Sequence, residues 1–224
     1  MYRSAMNAPV EYVEGFVIDP VGAYRALHGE LEWERRGDTP RHEYYSNDFP
    51  DPYVYGVGRG RRLYMPRPWH PVMVALRTAI ETRTGARFEA CFLNRYDDGT
   101  DHLGWHADDS PEMDGARPIA IVSLGAVREI WFRPKPPAFV EIGSERREDR
   151  ERRWMERASV VRRIDAEATE RLALGDGSLC LMAAGMQRAW QHRIPKSSRA
   201  CGGRVSLTFR GYTGPAVSTA AHAF

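Results

Sequence analysis

Long hydrophobic runs are missing from this 224-residue chain, where no stretch approaches the roughly 20 consecutive apolar residues that a membrane-spanning helix needs. Cysteine is scarce, and the three present, Cys91, Cys180 and Cys201, form neither a CxxC pair nor an even set. That excludes a disulfide framework and leaves reduced, mostly packed thiols. Charge of one sign is lacking too, since a formal net charge of +2 is too small to announce a nucleic-acid partner by itself. The first residues, Met1 to Asn7, carry no apolar signal region. These absences set the expectation of a soluble cytoplasmic protein, or a nuclear one in a eukaryote, with no membrane partner.

What is present is an ordinary globular composition, 42% hydrophobic and 28% charged, with many arginines. The length suits one well-buried domain over residues 1–224, expected to act as a monomer. Asp19-Pro20 followed by Val21, Tyr24, Leu27 and Leu31 predicts a capped amphipathic helix, although Gly29 weakens it. A second helix is predicted from about Pro71 to Thr84, with Met73, Leu76 and Ile80 on one side and Gly85 as its stop.

From Arg87 onward the pattern turns to short β-rich segments: Phe88 to Tyr96, Ile119 to Leu124, Glu129 to Phe132, Ser178 to Met182 and Val205 to Phe209. Punctuated by Asp98-Gly99, Gly125 and Gly175-Asp176-Gly177, they predict a mainly β, α+β fold, a double-sheet jelly roll with helices outside one sheet. The stretch from about Ser144 to Arg171 interrupts this half with dense charge of both signs around Trp154, Met155, Val160, Val161 and Ile164. It reads as an exposed helical insertion.

The residues that carry chemistry are His106 and Asp108, in Gly104-Trp105-His106-Ala107-Asp108-Asp109, and His192, far downstream in Trp190-Gln191-His192. Two imidazoles and one carboxylate can occupy one face of an octahedral Fe(II) and leave three positions open, which suits an oxygenase better than a zinc enzyme. On a strand, side chains two residues apart share a face, so His106 and Asp108 would point at one ion. A His-x-Asp triplet alone is weak, its commonest meaning being a polar turn. Arg204, Ser206, Thr208 and Arg210 would likewise share a strand face, with cations at both ends that could grip a small dicarboxylate. Two surface arginines are the plain alternative.

Taken together, Asn94-x-Tyr96, His106-x-Asp108, Ser123-Leu124-Gly125, His192 and Arg204-x5-Arg210 closely resemble, in content and order, the AlkB family of Fe(II)- and 2-oxoglutarate-dependent dioxygenases. The resemblance runs roughly from Thr39 to Gly211. It implies a double-stranded β-helix with Fe(II) held by His106, Asp108 and His192. It also implies Arg204 on the distal carboxylate of 2-oxoglutarate, with Arg210, Asn94 and Tyr96 on the rest of that co-substrate. Gln187 and Trp190 match residues that family members place near the second histidine. Molecular oxygen is the other implied co-substrate, with succinate, carbon dioxide and formaldehyde as products.

The resemblance further implies a substrate-recognition lid at about 35–69, through Thr39-Pro40-Arg41-His42 and Tyr53-Val54-Tyr55-Gly56. Tyr53 and Tyr55 would face a base drawn from the stack. In the same interval Arg35, Arg36, Arg41, Arg59, Arg61, Arg62 and Arg67 interleave with aromatic rings, a combination that suits single-stranded nucleic acid, although acidic residues dilute it. Two departures stand out. Ser206 replaces a common asparagine, and Ser110 replaces an acidic residue that reads an exocyclic amino group, a role for which Asp109 is the candidate. The expected activity is demethylation of alkylated bases in DNA, or RNA. The alternatives are a dioxygenase acting on a protein or small molecule, and a non-catalytic nucleic-acid-binding module.

Overall fold

The computed structural model describes residues 6–37, 39–55, 61–140 and 142–214. Gly56 and Arg59 of the expected lid, and Met1 to Ala5, lie outside the described residues. In chain order the elements are β1 (Val10–Val13), α1 (Pro20–Glu30), β2 (His42–Asn47), β3 (Tyr53–Tyr55), β4 (Arg62–Tyr64), α2 (Pro71–Thr84), β5 (Ala90–Tyr96), β6 (Leu103–His106), β7 (Ile119–Gly125) and β8 (Arg128–Pro134). There follow α3 (Arg147–Glu167), β9 (Glu170–Leu174), β10 (Ser178–Met182), α4 (Met186–Ala189), β11 (Trp190–Ile194) and β12 (Arg204–Arg210).

Eight of these strands, β5 to β12, make the jelly roll. The large sheet runs β1-β10-β7-β12-β5-β2 and the small one β6-β11-β8-β9, with every pairing antiparallel. Strands β1 and β2 extend the large sheet at its two edges, and β3 pairs with β4 as a separate hairpin.

Both expected helices form, for the reasons their sequences suggest. The Asp19 Oδ1 accepts the Gly22 N–H at 2.9 Å, and Pro20 supplies a first turn that needs no donor there. At α2 the His70 ring Nδ1 accepts the Val72 N–H, while Gly85, at φ 69°, takes the left-handed conformation that ends the helix and donates its N–H to the Glu81 carbonyl. Leu27 of α1 and Met73, Leu76 and Ile80 of α2 pack with Leu93, Val122, Leu124, Leu207 and Phe209, so the helices cover the outer face of the large sheet. A second cluster fills the space between the sheets, with Ile121, Cys180 and Met182 meeting Ile130, Phe132 and Ile194.

Central position explains β12. It lies between β7 and β5, and all seven of its residues are buried. Its odd-numbered residues, Val205, Leu207 and Phe209, feed the helix-facing core, which leaves Arg204, Ser206, Thr208 and Arg210 on the face between the sheets. A polar stripe in that position is costly unless each group finds a partner.

The insertion is a 21-residue helix with no buried residue, placed between β8 and β9. Ion pairs along its own surface include Arg147 with Glu151 at 2.7 Å and Arg152 with Asp149 at 2.7 Å. It is tied to the body by Arg133 with Asp165 at 2.5 Å and by Arg157 donating to the Pro137 carbonyl at 2.8 Å.

The strands absent from the sequence expectation are the short or polar ones: β1, β2, β3, β4, β6, β9 and β11. Gly104 interrupts β6, and β9 alternates half-buried with exposed residues up to Leu174. Replacing Leu207, fully buried, by alanine should cost about 2–5 kcal/mol, whereas Trp154→Ala, at a residue 59% exposed, should stay within about 0.5 kcal/mol. Urea unfolding midpoints of the two variants would check this contrast.

Candidate metal centre and its pocket

Two strands of the small sheet deliver the histidines. His106 closes β6 and stands directly opposite His192 on β11, with ring centroids 4.2 Å apart. Asp108 does not share their strand, because β6 ends at His106. The alternation expected to align His106 with Asp108 therefore does not operate, and long-range contacts place the carboxylate instead. The Asp108 N–H donates to the Gln187 Oε1 at 3.0 Å, and the Arg210 Nη2 donates to the Asp108 Oδ1 at 2.6 Å. Gln187 sits in the one-turn α4, so the turn before β11 fixes the loop after β6.

The resulting triangle has ligand dimensions. The His106 Nε2 lies 3.8 Å from the Asp108 Oδ1 and the His192 Nε2 lies 3.6 Å from the Oδ2, with one donor atom of each residue within 4.8 Å of the others. The His106 Nδ1 is 2.9 Å from the Gly104 carbonyl, so that nitrogen carries the proton and Nε2 presents its lone pair to the centre. Among the described residues, the buried Asp108 Oδ2 meets no hydrogen-bond donor. Two lone pairs and an unanswered carboxylate oxygen converging on one point fit a divalent cation with open positions.

Electrostatics keeps these groups in ligand form. Burial pushes the His192 imidazole down to about 3 and lowers His106 as well, so both are neutral near pH 7. Burial works to raise the Asp108 pKa, but Arg210 and the two imidazoles outweigh it and hold the carboxyl below its ordinary range.

At the other end of the β12 stripe, Arg204 is fully buried. Its Nε donates to the Ser123 Oγ at 2.8 Å and its Nη2 to the Ser206 Oγ at 3.2 Å, while Nη1 is buried without an acceptor. Tyr96 lies beside it, with the guanidinium 5.3 Å from the ring centre. Burial pushes its pKa down to about 10, which still leaves a cation at neutral pH. Among the described residues no carboxylate pairs with it. A buried guanidinium with an idle edge fits a carboxylate brought by a ligand.

Register puts the other candidates between these two poles. Tyr96 is opposite Arg204, and Asn94 is opposite Ser206, which in turn faces Ser123 on β7. The Asn94 Oδ1 accepts from the Arg41 Nε at 2.7 Å.

A pocket opens beside His106 and Asp108, with Tyr53, Tyr55, Tyr64 and Phe92 among its walls. Tyr53 and Tyr55 do share a side, with ring centroids 6.4 Å apart. Tyr53 is nevertheless 2% exposed, stacked on Tyr64 and hydrogen-bonded to the Ser110 Oγ at 3.0 Å, so it is wall more than platform; Tyr55 is half-buried. Asp109 lies outside the pocket lining and pairs with Lys135 at 2.6 Å.

Phe92 in the pocket wall and Glu43 behind it escaped the sequence reading. Glu43 is a buried carboxylate that accepts from Arg41 at 2.6 Å and from the Tyr64 hydroxyl at 3.0 Å, locking β2 to β4. Phe92 could have been found, because it lies two residues before Asn94 and so on the same face of β5. Nothing local singles out Glu43, whereas Tyr64 is one of the aromatic rings interleaved with arginines in the expected lid.

The family model of the 2OG-Fe(II) oxygenase superfamily matches residues 21–210. The chain is 39% identical over 145 residues to "DNA oxidative demethylase ALKBH2" of Mus musculus, covering 65% of this chain and 52% of that protein. It is 34% identical over 160 residues to "Alpha-ketoglutarate-dependent dioxygenase alkB homolog 3" of Homo sapiens, covering 71% and 48%. The chain thus spans about half the length of the curated relatives it matches. Among solved structures it is similar to OsALKBH1, with a TM-score of 0.59 at 14% identity over 93% of this chain and 99% of that one, a likeness of fold alone.

The depressed imidazoles give a pH dependence of known sign. In the metal-free protein the unfolded chain protonates its histidines near pH 6.5 while folded His192 resists down to about 3, so stability is complete above pH 6.5 and falls as pH drops below it. Urea midpoints of the metal-free protein should decline from pH 6.5 to 4, and His192→Gln should flatten the decline; equal slopes in both proteins would contradict the account.

Proposed function

The chain belongs to the 2OG-Fe(II) oxygenase superfamily and, within it, to the AlkB family, and from that premise we propose that it oxidatively demethylates alkylated bases in nucleic acid. One observation carries the reading. A three-ligand cluster and a buried, carboxylate-free Arg204 stand at two ends of one polar stripe, beside a pocket walled by aromatic rings.

In this reading His106, Asp108 and His192 hold Fe(II), which when bound supplies oxygen activation. Arg204 takes the distal carboxylate of 2-oxoglutarate, and Ser123 and Ser206 hold its guanidinium in line. Asn94, Tyr96 and Arg210 border the space between the poles, and Arg210 also keeps the Asp108 carboxylate ionised and aimed. The overall reaction consumes 2-oxoglutarate and oxygen, yields succinate and carbon dioxide, and releases the methyl carbon as formaldehyde.

The base enters by the aromatic pocket, which requires a single strand or a flipped nucleotide. Tyr55 offers the partly open ring, while Tyr53, Tyr64 and Phe92 exclude water from the reacting side. β2, β3 and β4 make up the lid, with Glu43 of β2 tied to Tyr64 of β4, and β4 paired with β3. Asp109, held by Lys135 outside the pocket lining, is assigned to contacts with nucleotide groups that remain outside.

Supplied with Fe(II), oxygen and 2-oxoglutarate, the protein should convert a methylated oligonucleotide with succinate and formaldehyde formed in step. Mass spectrometry across oligonucleotides bearing single methylated adenines or cytosines, in DNA and in RNA, reads the outcome; succinate release with no mass loss from any of them would defeat the nucleic-acid assignment. Arg204→Met should raise the KM for 2-oxoglutarate about 10- to 100-fold, the worth of a charge-assisted contact. An unchanged KM would remove Arg204 from the co-substrate site.

A further inference from the structure

The outer face of the small sheet carries a row of alternating indoles and guanidiniums for which the proposed reaction has no use. Arg193 on β11 stands opposite Trp131 on β8, and Trp131 stands opposite Arg171 on β9. The Trp131 ring centre lies 4.2 Å from the Arg193 guanidinium and 4.1 Å from that of Arg171. On β6 the Trp105 ring centre lies 4.7 Å from Arg193 and 4.3 Å from Arg133. Side chains from all four strands are thus joined in one chain of cation–π contacts.

The charges in this row are unevenly answered. Arg133 has Asp165 at 2.5 Å and the Gln191 Oε1 at 2.9 Å. Among the described residues neither Arg171 nor Arg193 forms an ion pair, and the Arg193 Nε is buried without an acceptor. Arg171 is exposed, and Arg193, Trp105 and Trp131 are half-buried, so the row meets solvent. Stacking occupies the faces of the guanidiniums and leaves their N–H edges, the part that grips a phosphate in bidentate fashion.

Topology connects the row to the pocket. β6 is an edge strand of the small sheet, and its Leu103 and His106 line the pocket while Trp105 belongs to the outer row. Gly104 leaves the strand open between them, with nothing within 4 Å of where a Cβ would stand. A polynucleotide with one base in the pocket reaches the row by crossing that single strand.

We infer that the row of Trp105, Arg193, Trp131 and Arg171 is a second contact for single-stranded DNA, taking backbone phosphates on its arginines and unpaired bases on its exposed ring surface. The inference rests on nucleic acid being the substrate. Unmodified oligothymidylate of about 20 nucleotides is the probe, so that binding is read apart from turnover.

Log affinity for it should fall linearly with log salt, and the double variant Arg171→Gln, Arg193→Gln should reduce that slope by about 1.4, the share of two single-strand phosphates. If the double variant fails to fold, as judged by its thermal transition, Arg171→Gln alone should reduce the slope by about 0.7. A slope equal to that of the wild type would overturn the inference. So would polyglutamate displacing the probe as well as unlabelled oligothymidylate does, because the row would then serve an acidic peptide. On a methylated trinucleotide the double variant should keep the wild-type kcat/KM, while on the longer methylated strand its KM should rise several-fold. Absence of turnover by the wild type on both would count against the demethylase reading, and the salt slope would still judge the row.

Discussion

Two guanidinium groups buried on the same face of a central strand are the constraint around which this molecule is arranged. β12 has its apolar residues committed to the helix-covered core, so Arg204 and Arg210 have nowhere to go but the space between the sheets. Taking such cations out of water costs several kcal/mol each unless the partners are well placed. Arg210 is answered by Asp108, at 2.6 Å, and that pairing orients the carboxylate toward the two imidazoles. Arg204, among the described residues, is answered by two serine hydroxyls and a tyrosine ring and by no carboxylate. Stability alone would favour apolar side chains at both positions. In the proposed function, a ligand carboxylate at one end and a metal ion at the other would offset that cost.

Each layer of the fold serves that stripe. The helices pack on the outer face of the large sheet and hold β12 and β5 flat against each other, which keeps Asn94, Tyr96 and Arg204 in register. The small sheet carries both histidines on neighbouring strands, and the turn of α4 reaches over to fix Asp108 through Gln187. The hairpin of β3 and β4 closes the remaining side with tyrosines whose hydroxyls are spent on Ser110 and Glu43, so the wall is rigid as well as apolar. The charged helix α3 stands apart from this scheme, contributing no buried residue.

Legibility in the sequence followed the range of the interaction. Helices α1 and α2 were readable because their caps and their apolar spacing are local, and the structure reproduces both at Asp19 and Gly85. The long apolar strands β5, β7, β10 and β12 were readable from alternation and flanking turns. The four-residue β6 and the edge strand β9 were not, since burial on one side by a distant partner, and no property of the residues themselves, makes them strands. Within the site, the face shared by Arg204 and Arg210 followed from a period of two. The placement of Asp108 did not, because its strand stops two residues short and contacts from Gln187 and Arg210 take over. Glu43 was invisible for the same reason, its meaning arising only when β2 and β4 meet.

By itself, then, the sequence determined the candidate ligand side chains, their order, the two helices and the two-faced character of β12, all of which depend on spacing along the chain. The tertiary structure decided which of those groups meet. His106 and His192 become neighbours only through the register of β6 with β11, Arg204 meets serines and a tyrosine and, among the described residues, no carboxylate, and the outer row of indoles and arginines exists only where four strands align. Periodicity is written in a few consecutive residues, whereas register is settled by packing across the whole chain.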